Sequence, residues 1–152
     1  MGIRSQVILV ITSRAYETLK KNISLLKDHP NVSDKLLELI YKTFDETDTY
    51  ISKDNCYLFE WKSIKWYSND LDYTAYWIEA CLGIRNVAFN YNIKQQKLED
   101  TEITFPDFKE LIQEDFRLVE VGFAEEPYLY EHGNFYDNPF NVGINLEITY
   151  TE

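Results

Sequence analysis

The sequence predicts an α+β fold, with a mostly antiparallel sheet of about five strands and helices packed on one face of that sheet. The first strand is indicated by an unbroken apolar run from Val7 to Ile11, and later strands by alternating apolar and polar residues. Helices are indicated by apolar residues that recur every three or four positions in three segments before Gly83. Because the two types of element do not alternate regularly, a parallel βαβ arrangement is not expected. The 152 residues fit a single domain over residues 1–152.

The first third of the chain is predicted to form one strand and two helices. Gln6–Thr12 is expected to be a central strand that is covered on both faces, because its apolar run is continuous. Ser13 is expected to cap a helix that ends near Asp28, and Ser33 to begin a second helix that the cluster Asp45-Glu46-Thr47-Asp48 ends. The apolar residues that should form their buried faces are Tyr16, Leu19, Ile23 and Leu26 in the first helix, and Leu36, Leu37, Ile40 and Phe44 in the second.

The segment Tyr57–Trp66 has the composition of a strand whose alternation changes phase. Apolar residues occupy odd positions up to Trp61 and even positions at Ile64 and Trp66. A bulge at Lys62-Ser63 or a tight turn there would each explain the change. We predict the bulge, because these two residues lack the Gly or Asn of a two-residue hairpin turn. Trp61 and Trp66 should then both be buried in one core.

The remaining elements are predicted from capping residues, turn residues and alternation. A third helix is expected after the capping cluster Ser68-Asn69-Asp70, and Gly83 should close it. Pro106 is expected to begin a short helix that ends at Ile112. The segment from Glu125 to Asn141 is predicted to be irregular. The further predicted strands are Val87–Ile93, Phe116–Phe123 and Val142–Tyr150.

Acidic residues are concentrated in the last third of the chain. The net charge is −11, and residues 99–152 contain two basic and 14 acidic side chains, a balance of −12. Nucleic acids and anionic membranes bind positive surfaces, so this part of the chain is not expected to bind either of them directly. A basic partner, a cation or solubility alone would each account for the charge.

Residues in the usual catalytic and metal-binding patterns are scarce. His29 and His132 lie far apart in the sequence, which contains no HExxH or CxxC spacing, no glycine-rich phosphate loop and no GxSxG turn. No metal, other cofactor or catalytic residue is therefore predicted, and whether the protein is an enzyme stays open. Cys56 and Cys81 are expected to be reduced and buried, and the N-terminal apolar run is too short for a signal peptide. Both features favour a cytoplasmic protein.

Acidic and aromatic residues are mixed in the predicted irregular segment, and this mixture is the most unusual local feature of the sequence. Long loops in compact domains are often functional. Three interpretations are open: a solvated loop anchored by its rings, a cation site with oxygen ligands, and a contact surface for a basic partner. The third interpretation predicts a partner-binding surface made of Glu125, Glu126, Tyr128, Tyr130, Glu131, Tyr136 and Asp137.

Three short stretches of the sequence carry a family resemblance. They are Met1–Ser5 with the sequence MGIRS, Phe59–Tyr67 with FEWKSIKWY, and Phe116–Gly122 with FRLVEVG. They resemble an uncharacterised family of small tailed-phage accessory proteins whose members begin Met-Gly-Tyr-Arg-Ser, so that Ile3 stands where the family has Tyr. The resemblance implies a small protein made in the cytoplasm of a bacterial host. It implies no particular activity and no site residue.

In that setting, the acidic and aromatic segment favours a protein that binds a basic surface of a host protein. Carboxylates can imitate the spacing of nucleic-acid phosphates, so inhibition of a bacterial defence nuclease is the leading hypothesis. The alternatives are a small-molecule-binding or hydrolytic domain, and a structural or assembly protein. A protein-binding surface would expose acids and rings together. An enzyme would hold them in a concave pocket beside a polar group of perturbed pKa.

Overall fold

The computed structural model describes residues 3–86, 89–92, 97–100, 105–145 and 147–152. Within these residues the chain forms a five-stranded antiparallel sheet, two two-stranded sheets and three α-helices, which confirms the predicted α+β fold. The helices are α1 (Ser13–Leu25), α2 (Asp34–Asp45) and α3 (Thr74–Cys81). The strands are β1 (Ser5–Thr12), β2 (Thr49–Lys53), β3 (Cys56–Ile64), β4 (Phe89–Asn92), β5 (Lys97–Asp100), β6 (Phe116–Gly122), β7 (Tyr128–His132), β8 (Gly143–Asn145) and β9 (Glu147–Thr149).

The main sheet has β1 at its centre and the strand order β2-β3-β1-β6-β7. Odd-numbered residues of β1, such as Val7 and Leu9, belong to a core that also contains buried residues of all three helices. Even-numbered residues, such as Ile8, belong to a second core that contains Phe140 and Ile148 from the C-terminal part of the chain. The first predicted strand is therefore central and covered on both faces, as expected. The helices lie on one face, and the C-terminal segment covers the other.

The predicted bulge in β3 is confirmed by the pairing of β3 with β1. Ser5 pairs with Ile64 whereas Val7 pairs with Trp61, so β3 has one extra residue between these two pairs. That residue falls at Lys62-Ser63. Trp61 and Trp66 are each 3% exposed and lie in the same core, where their ring centroids are 5.6 Å apart. The phase change in the sequence thus keeps both indoles on the helical side of the sheet.

The first two helices begin at side chains that cap their N-termini. Ser33 caps α2 as predicted, because its Oγ accepts a hydrogen bond from the backbone N–H of Leu36 at 3.1 Å. Thr12 caps α1 in place of the predicted Ser13, and its Oγ1 accepts from the N–H of Ala15 at 3.1 Å. The two candidates for the α1 cap are adjacent hydroxyl residues, so the sequence left the choice open by one position.

The third helix begins later than predicted. α3 starts at Thr74, and the cluster Ser68-Asn69-Asp70 lies in turns before it. The carboxylate of Asp70 accepts a hydrogen bond from the N–H of Asp72 at 2.9 Å, so it stabilises a local turn instead of capping the helix. The end of the helix agrees with the prediction, because Gly83 follows it with a φ of +90°.

Two strands of the main sheet were not predicted. β7 lies inside the segment that was predicted to be irregular, and β2 lies in a stretch that was left without an element. They occupy the two edges of the sheet. The predicted strand Val87–Ile93 is instead described over residues 89–92 as β4, which pairs with the unpredicted β5 outside the main sheet. Val87 and Ile93 lie outside the described residues.

The strand predicted from Val142 to Tyr150 is a hairpin of β8 and β9. Ile144 pairs with Ile148, so the two side chains face the same way and both pack against the main sheet. Leu146, between the two strands, lies outside the described residues. An alternating pattern that is symmetric about its middle fits one long strand and a folded hairpin equally well, which is why the prediction of a single strand was wrong.

The short helix predicted from Pro106 to Ile112 does not form. The side chain of Asn22 is fully buried and bonds both backbone groups of Lys109, donating to its carbonyl at 2.7 Å and accepting from its N–H at 3.1 Å. These bonds hold the backbone of Lys109 against α1. Its N–H and C=O are therefore not available for a helical turn.

The two cysteines are buried, as predicted, and they are not bonded to each other. Cys56 and Cys81 are both buried free thiols, and they belong to different cores of the sheet.

As for the helices, none within the described residues has both the length and the apolar character needed to cross a bilayer.

Candidate ligand-binding cleft

A cleft of about 890 Å³ lies where β6 and β7 approach the loop between β3 and α3. We call it the outer cleft. The loop contributes residues 66–72 and the turn before α2 contributes residues 30–31. The main sheet contributes Glu120, Tyr128 and Tyr130. The volume is in the range of pockets that hold small organic molecules.

Glu120 reaches the outer cleft from the buried face of β6. It follows Phe116 and Leu118 on the side of the strand that faces the helices, and it is only 5% exposed. The hydroxyl of Ser5 donates to Oε2 of Glu120 at 2.7 Å, and the hydroxyl of Tyr128 donates to the same oxygen at 3.4 Å. Oε1 has no hydrogen-bond partner within the described part of the chain. One carboxylate oxygen is therefore held by the protein and the other is available to a ligand.

Burial is the main reason that the pKa of Glu120 is raised above its ordinary value. The negative charge of Glu79 raises it further, whereas the hydrogen bonds from Ser5 and Tyr128 lower it. A positively charged group placed at Oε1 would stabilise the ionised form. Glu120 can therefore either take up a proton or bind a cation at Oε1.

Tyr128 is placed against Glu120 because Gly122 has no side chain. The two residues are paired across β6 and β7, and a Cβ at Gly122 would overlap the ring of Tyr128. The ring therefore lies flat across the end of β6, where its hydroxyl can reach Glu120. Tyr130 is the next residue on the same face of β7, and the two tyrosine ring centroids are 5.3 Å apart.

A smaller space of about 180 Å³ continues inward from the outer cleft, and we call it the inner recess. Five residues line both spaces, among them Trp66, Glu120 and Tyr130. The recess adds the side chains of Glu79, Arg85, Leu118 and His132.

Glu79 is a buried carboxylate whose two oxygens are both bonded. The indole N–H of Trp66 donates to Oε2 at 2.8 Å, and Arg85 forms an ion pair with Oε1 at 3.2 Å. Burial raises the pKa of Glu79, and the bonds from Trp66 and Arg85 act in the opposite direction. The Nε of Arg85 is itself buried, and no group in the described part of the chain forms a hydrogen bond with it.

The outer cleft has a negative character. Asp70 and Asp72 lie at its exposed side, and Glu120 lies at its buried side. No ion pair among the described residues includes any of these three carboxylates. Of the described residues that line the outer cleft, none is Lys or Arg. The three acids are therefore not neutralised by the protein's own cations.

The residues of the predicted partner-binding surface do not all lie together. Tyr128 and Tyr130 line the outer cleft. Glu131 faces the opposite side of β7, where Arg117 Nε donates to it at 3.1 Å. Tyr136 lies next to the same arginine, with its ring centroid 4.9 Å from the guanidinium carbon. The other predicted residues, Glu125, Glu126 and Asp137, are exposed in the connections before and after β7.

The sequence did not identify most of the residues that form the two spaces. Two of them carried a signal, because Glu79 and Glu120 are charged residues within segments that are otherwise rich in apolar residues. Gly122 was a third signal, because a glycine inside a strand often marks a close approach of another group. Arg85 and His132 had no such signal.

Comparisons with protein-family models, curated proteins and solved structures gave no match for this chain.

Proposed function

We propose that this domain binds a small organic cation in the outer cleft. The observation that carries the proposal is the lining of the cleft, which combines Asp70, Asp72 and Glu120 with tyrosine rings and includes no Lys or Arg among the described residues. Carboxylates bind ammonium groups through charge-assisted hydrogen bonds, and aromatic faces attract cations. This function belongs to the small-molecule-binding class that was an alternative at the level of sequence.

Glu120 is the expected primary contact of the cation. Its Oε1 accepts no hydrogen bond from the described residues, and the side chain is largely buried. An ion pair with a partly buried carboxylate is screened less by salt than a pair at the surface. Tyr128 and Tyr130 line the same space and can place their rings against the ligand.

Calorimetric titration with two matched compounds tests the requirement for a positive charge. Phenethylamine and phenethyl alcohol have the same ring and chain, and they differ by an ammonium group in place of a hydroxyl. We expect the amine to bind at least about tenfold more tightly than the alcohol, since a hydrogen bond to a charged group contributes about 1.5 to 3 kcal/mol. Equal affinities would show that the cleft selects apolar surface, and the proposal would be wrong.

A pair of double variants separates contact from the general effect of negative charge. D70N/D72N and E125Q/E126Q change the net charge by the same amount, but only the first pair lines the outer cleft. We expect D70N/D72N to weaken amine binding by about threefold to tenfold and E125Q/E126Q to change it by less than about twofold. Equal losses in both variants would indicate long-range attraction without a defined site.

A basic surface of a host protein is the second candidate ligand. The exposed surface around β7 favours it, because Tyr130 is 57% and Tyr136 is 64% exposed. Glu125 and Glu126 lie nearby in the chain, and neither forms an ion pair with another described residue. Exposed tyrosines beside acids are common in interfaces with basic partners.

Association rates with a bacterial protein captured on the immobilised domain would test this candidate. We expect E125Q/E126Q to slow association and to weaken its dependence on salt, while D70N/D72N has the smaller effect. The reverse order of effects would assign the captured protein to the outer cleft, and no effect of either variant would exclude steering by these acids.

A further inference from the structure

We propose that the cation bound in the outer cleft also carries a carbonyl group on a neighbouring carbon, and that Arg85 and His132 bind the carbonyl oxygen in the inner recess. The ligand would then belong to the α-amino amides, the class that includes the N-terminal residue of a peptide. This inference rests on the proposed function, because it assigns the second half of the same ligand.

The guanidinium of Arg85 is the first feature that favours a hydrogen-bond acceptor of the ligand in the inner recess. It pairs with Glu79 at 3.2 Å and with Asn69 at 3.5 Å, but its Nε is buried and has no hydrogen-bond partner among the described residues. Buried donors in proteins are nearly always satisfied. An oxygen acceptor in the recess that Arg85 lines would satisfy this donor after a small shift of the guanidinium.

His132 supplies a second donor in the same space. Burial lowers its pKa, and the nearby positive charge of Arg85 lowers it further, so both effects favour the uncharged imidazole. A neutral imidazole has one N–H donor. The ring lines the recess, and no described residue forms a hydrogen bond with it. Arg85 and His132 therefore present donors to one small volume from two different elements of the fold.

The size and position of the recess limit the ligand. Its volume of about 180 Å³ accommodates a carbonyl group and its neighbouring atoms but not a large ring system. Glu120 lines both the recess and the outer cleft, so the ammonium group at Glu120 and the acceptor in the recess are adjacent. An α-amino amide places these two groups on neighbouring carbons.

The charges around the recess favour a carbonyl over a carboxylate. Glu79 already neutralises Arg85 in an ion pair, and Glu120 adds a negative charge when it is ionised. A carboxylate in the recess would meet no net positive charge and would be repelled by Glu120. A neutral carbonyl oxygen accepts the same hydrogen bonds without this repulsion.

Three compounds with one ring test the inference: phenethylamine, phenylalaninamide and phenylalanine. They share the ring, the chain and the amino group. The carbon that carries the amino group bears only hydrogen in the first compound, a carboxamide in the second and a carboxylate in the third. Their affinities are to be compared by calorimetry at a pH of about 7, where the three amino groups are mostly protonated. We expect phenylalaninamide to bind at least about tenfold more tightly than phenethylamine, and phenylalanine to bind more weakly than the amide.

Two variants test whether the tighter binding of phenylalaninamide depends on Arg85 and His132 in the inner recess. Arg85→Lys keeps a positive charge beside Glu79 but removes the guanidinium, and His132→Phe removes the ring donor while keeping an aromatic side chain. We expect both to retain the affinity for phenethylamine and to lose most of the gain given by the amide. His132 is not a member of the buried ion pair, so His132→Phe remains informative if Arg85→Lys fails to fold.

The outcomes separate this inference from the proposed function. If phenethylamine binds and the amide gives no gain, or if both variants keep the gain, the inference is wrong and the proposed function stands. Tightest binding by phenylalanine would overturn the assignment of a neutral carbonyl. If none of the three compounds binds at millimolar concentration, both the proposed function and the inference fail.

Discussion

Gly122 permits the contact between Tyr128 and Glu120 on which the outer cleft depends. A side chain at this position would overlap the tyrosine ring, which lies across β6. The glycine could be noticed in the sequence as an unusual residue at the end of an apolar strand. What approaches it could not be predicted, because Tyr128 belongs to a strand that the sequence did not reveal.

Gly122→Ala is expected to displace the ring of Tyr128 and weaken amine binding. Overpacking of this kind typically costs about 1 to 3 kcal/mol of folding stability. The double variant Gly122→Ala with Tyr128→Ala removes the clash, so it should be less destabilised than the sum of the two single variants. Urea unfolding of the four proteins measures this coupling. Strictly additive losses would show that the ring does not lie against residue 122.

Glu120 should make folding stability depend on pH in a defined direction. Because its pKa is raised in the folded state, the folded protein retains a proton above about 4.5, the ordinary value, where the unfolded chain loses it. Stability from this group therefore falls as pH rises from that value through the raised pKa. Glu120→Gln lacks the titration, so its stability relative to the wild type should increase with pH over this window. Parallel profiles of unfolding free energy would contradict the assignment.

At the scale of the elements, the sequence was most informative where a pattern had one physical solution. The phase change between Trp61 and Trp66 required an extra residue, and the bulge at Lys62-Ser63 supplies it. β7 could not be found in the same way, because its residues are exposed or half-buried and show no apolar alternation. β7 is an edge strand that forms by pairing with β6, and this pairing depends on residues that are distant in the sequence.

Trp66→Phe is expected to destabilise the protein more than Trp61→Phe at neutral pH. Both indoles lie in the same core and both donate a hydrogen bond at 2.8 Å, but Trp66 donates to the Glu79 carboxylate and Trp61 to the Thr43 carbonyl. A buried charged acceptor that loses its donor costs more than a neutral one, with about 1 to 3 kcal/mol as the usual range.

The comparison of the two tryptophan variants contains its own control. Protonation of Glu79 removes the charge that makes the loss of the Trp66 donor costly, so the difference between the variants should shrink as pH falls through the raised pKa of Glu79. Thermal unfolding at several pH values measures it. A difference that stays constant with pH would mean that packing, not the carboxylate, distinguishes the two positions.

At the scale of the whole molecule, folding redistributes the charge that the sequence shows. The acidic last third predicted a working surface within residues 125–137, yet the outer cleft draws Asp70 and Asp72 from the nearly neutral first part of the chain. Glu120 and the two tyrosines come from the acidic part. These residues have no fixed spacing, so no motif could reveal them, and only the packing of the loop after β3 against β6 and β7 brings them together.

The most direct test of cation binding in the outer cleft uses the indole N–H groups of Trp66 and Trp61 as reporters. Trp66 lines the cleft, whereas Trp61, whose ring centroid is 5.6 Å from that of Trp66, lines neither the cleft nor the inner recess and donates its indole proton to the Thr43 carbonyl. Titration of ¹⁵N-labelled protein with phenethylamine should shift the indole resonance of Trp66 in a saturable way and leave that of Trp61 nearly unchanged. An unchanged Trp66 resonance, or equal shifts of both, would contradict binding in this cleft.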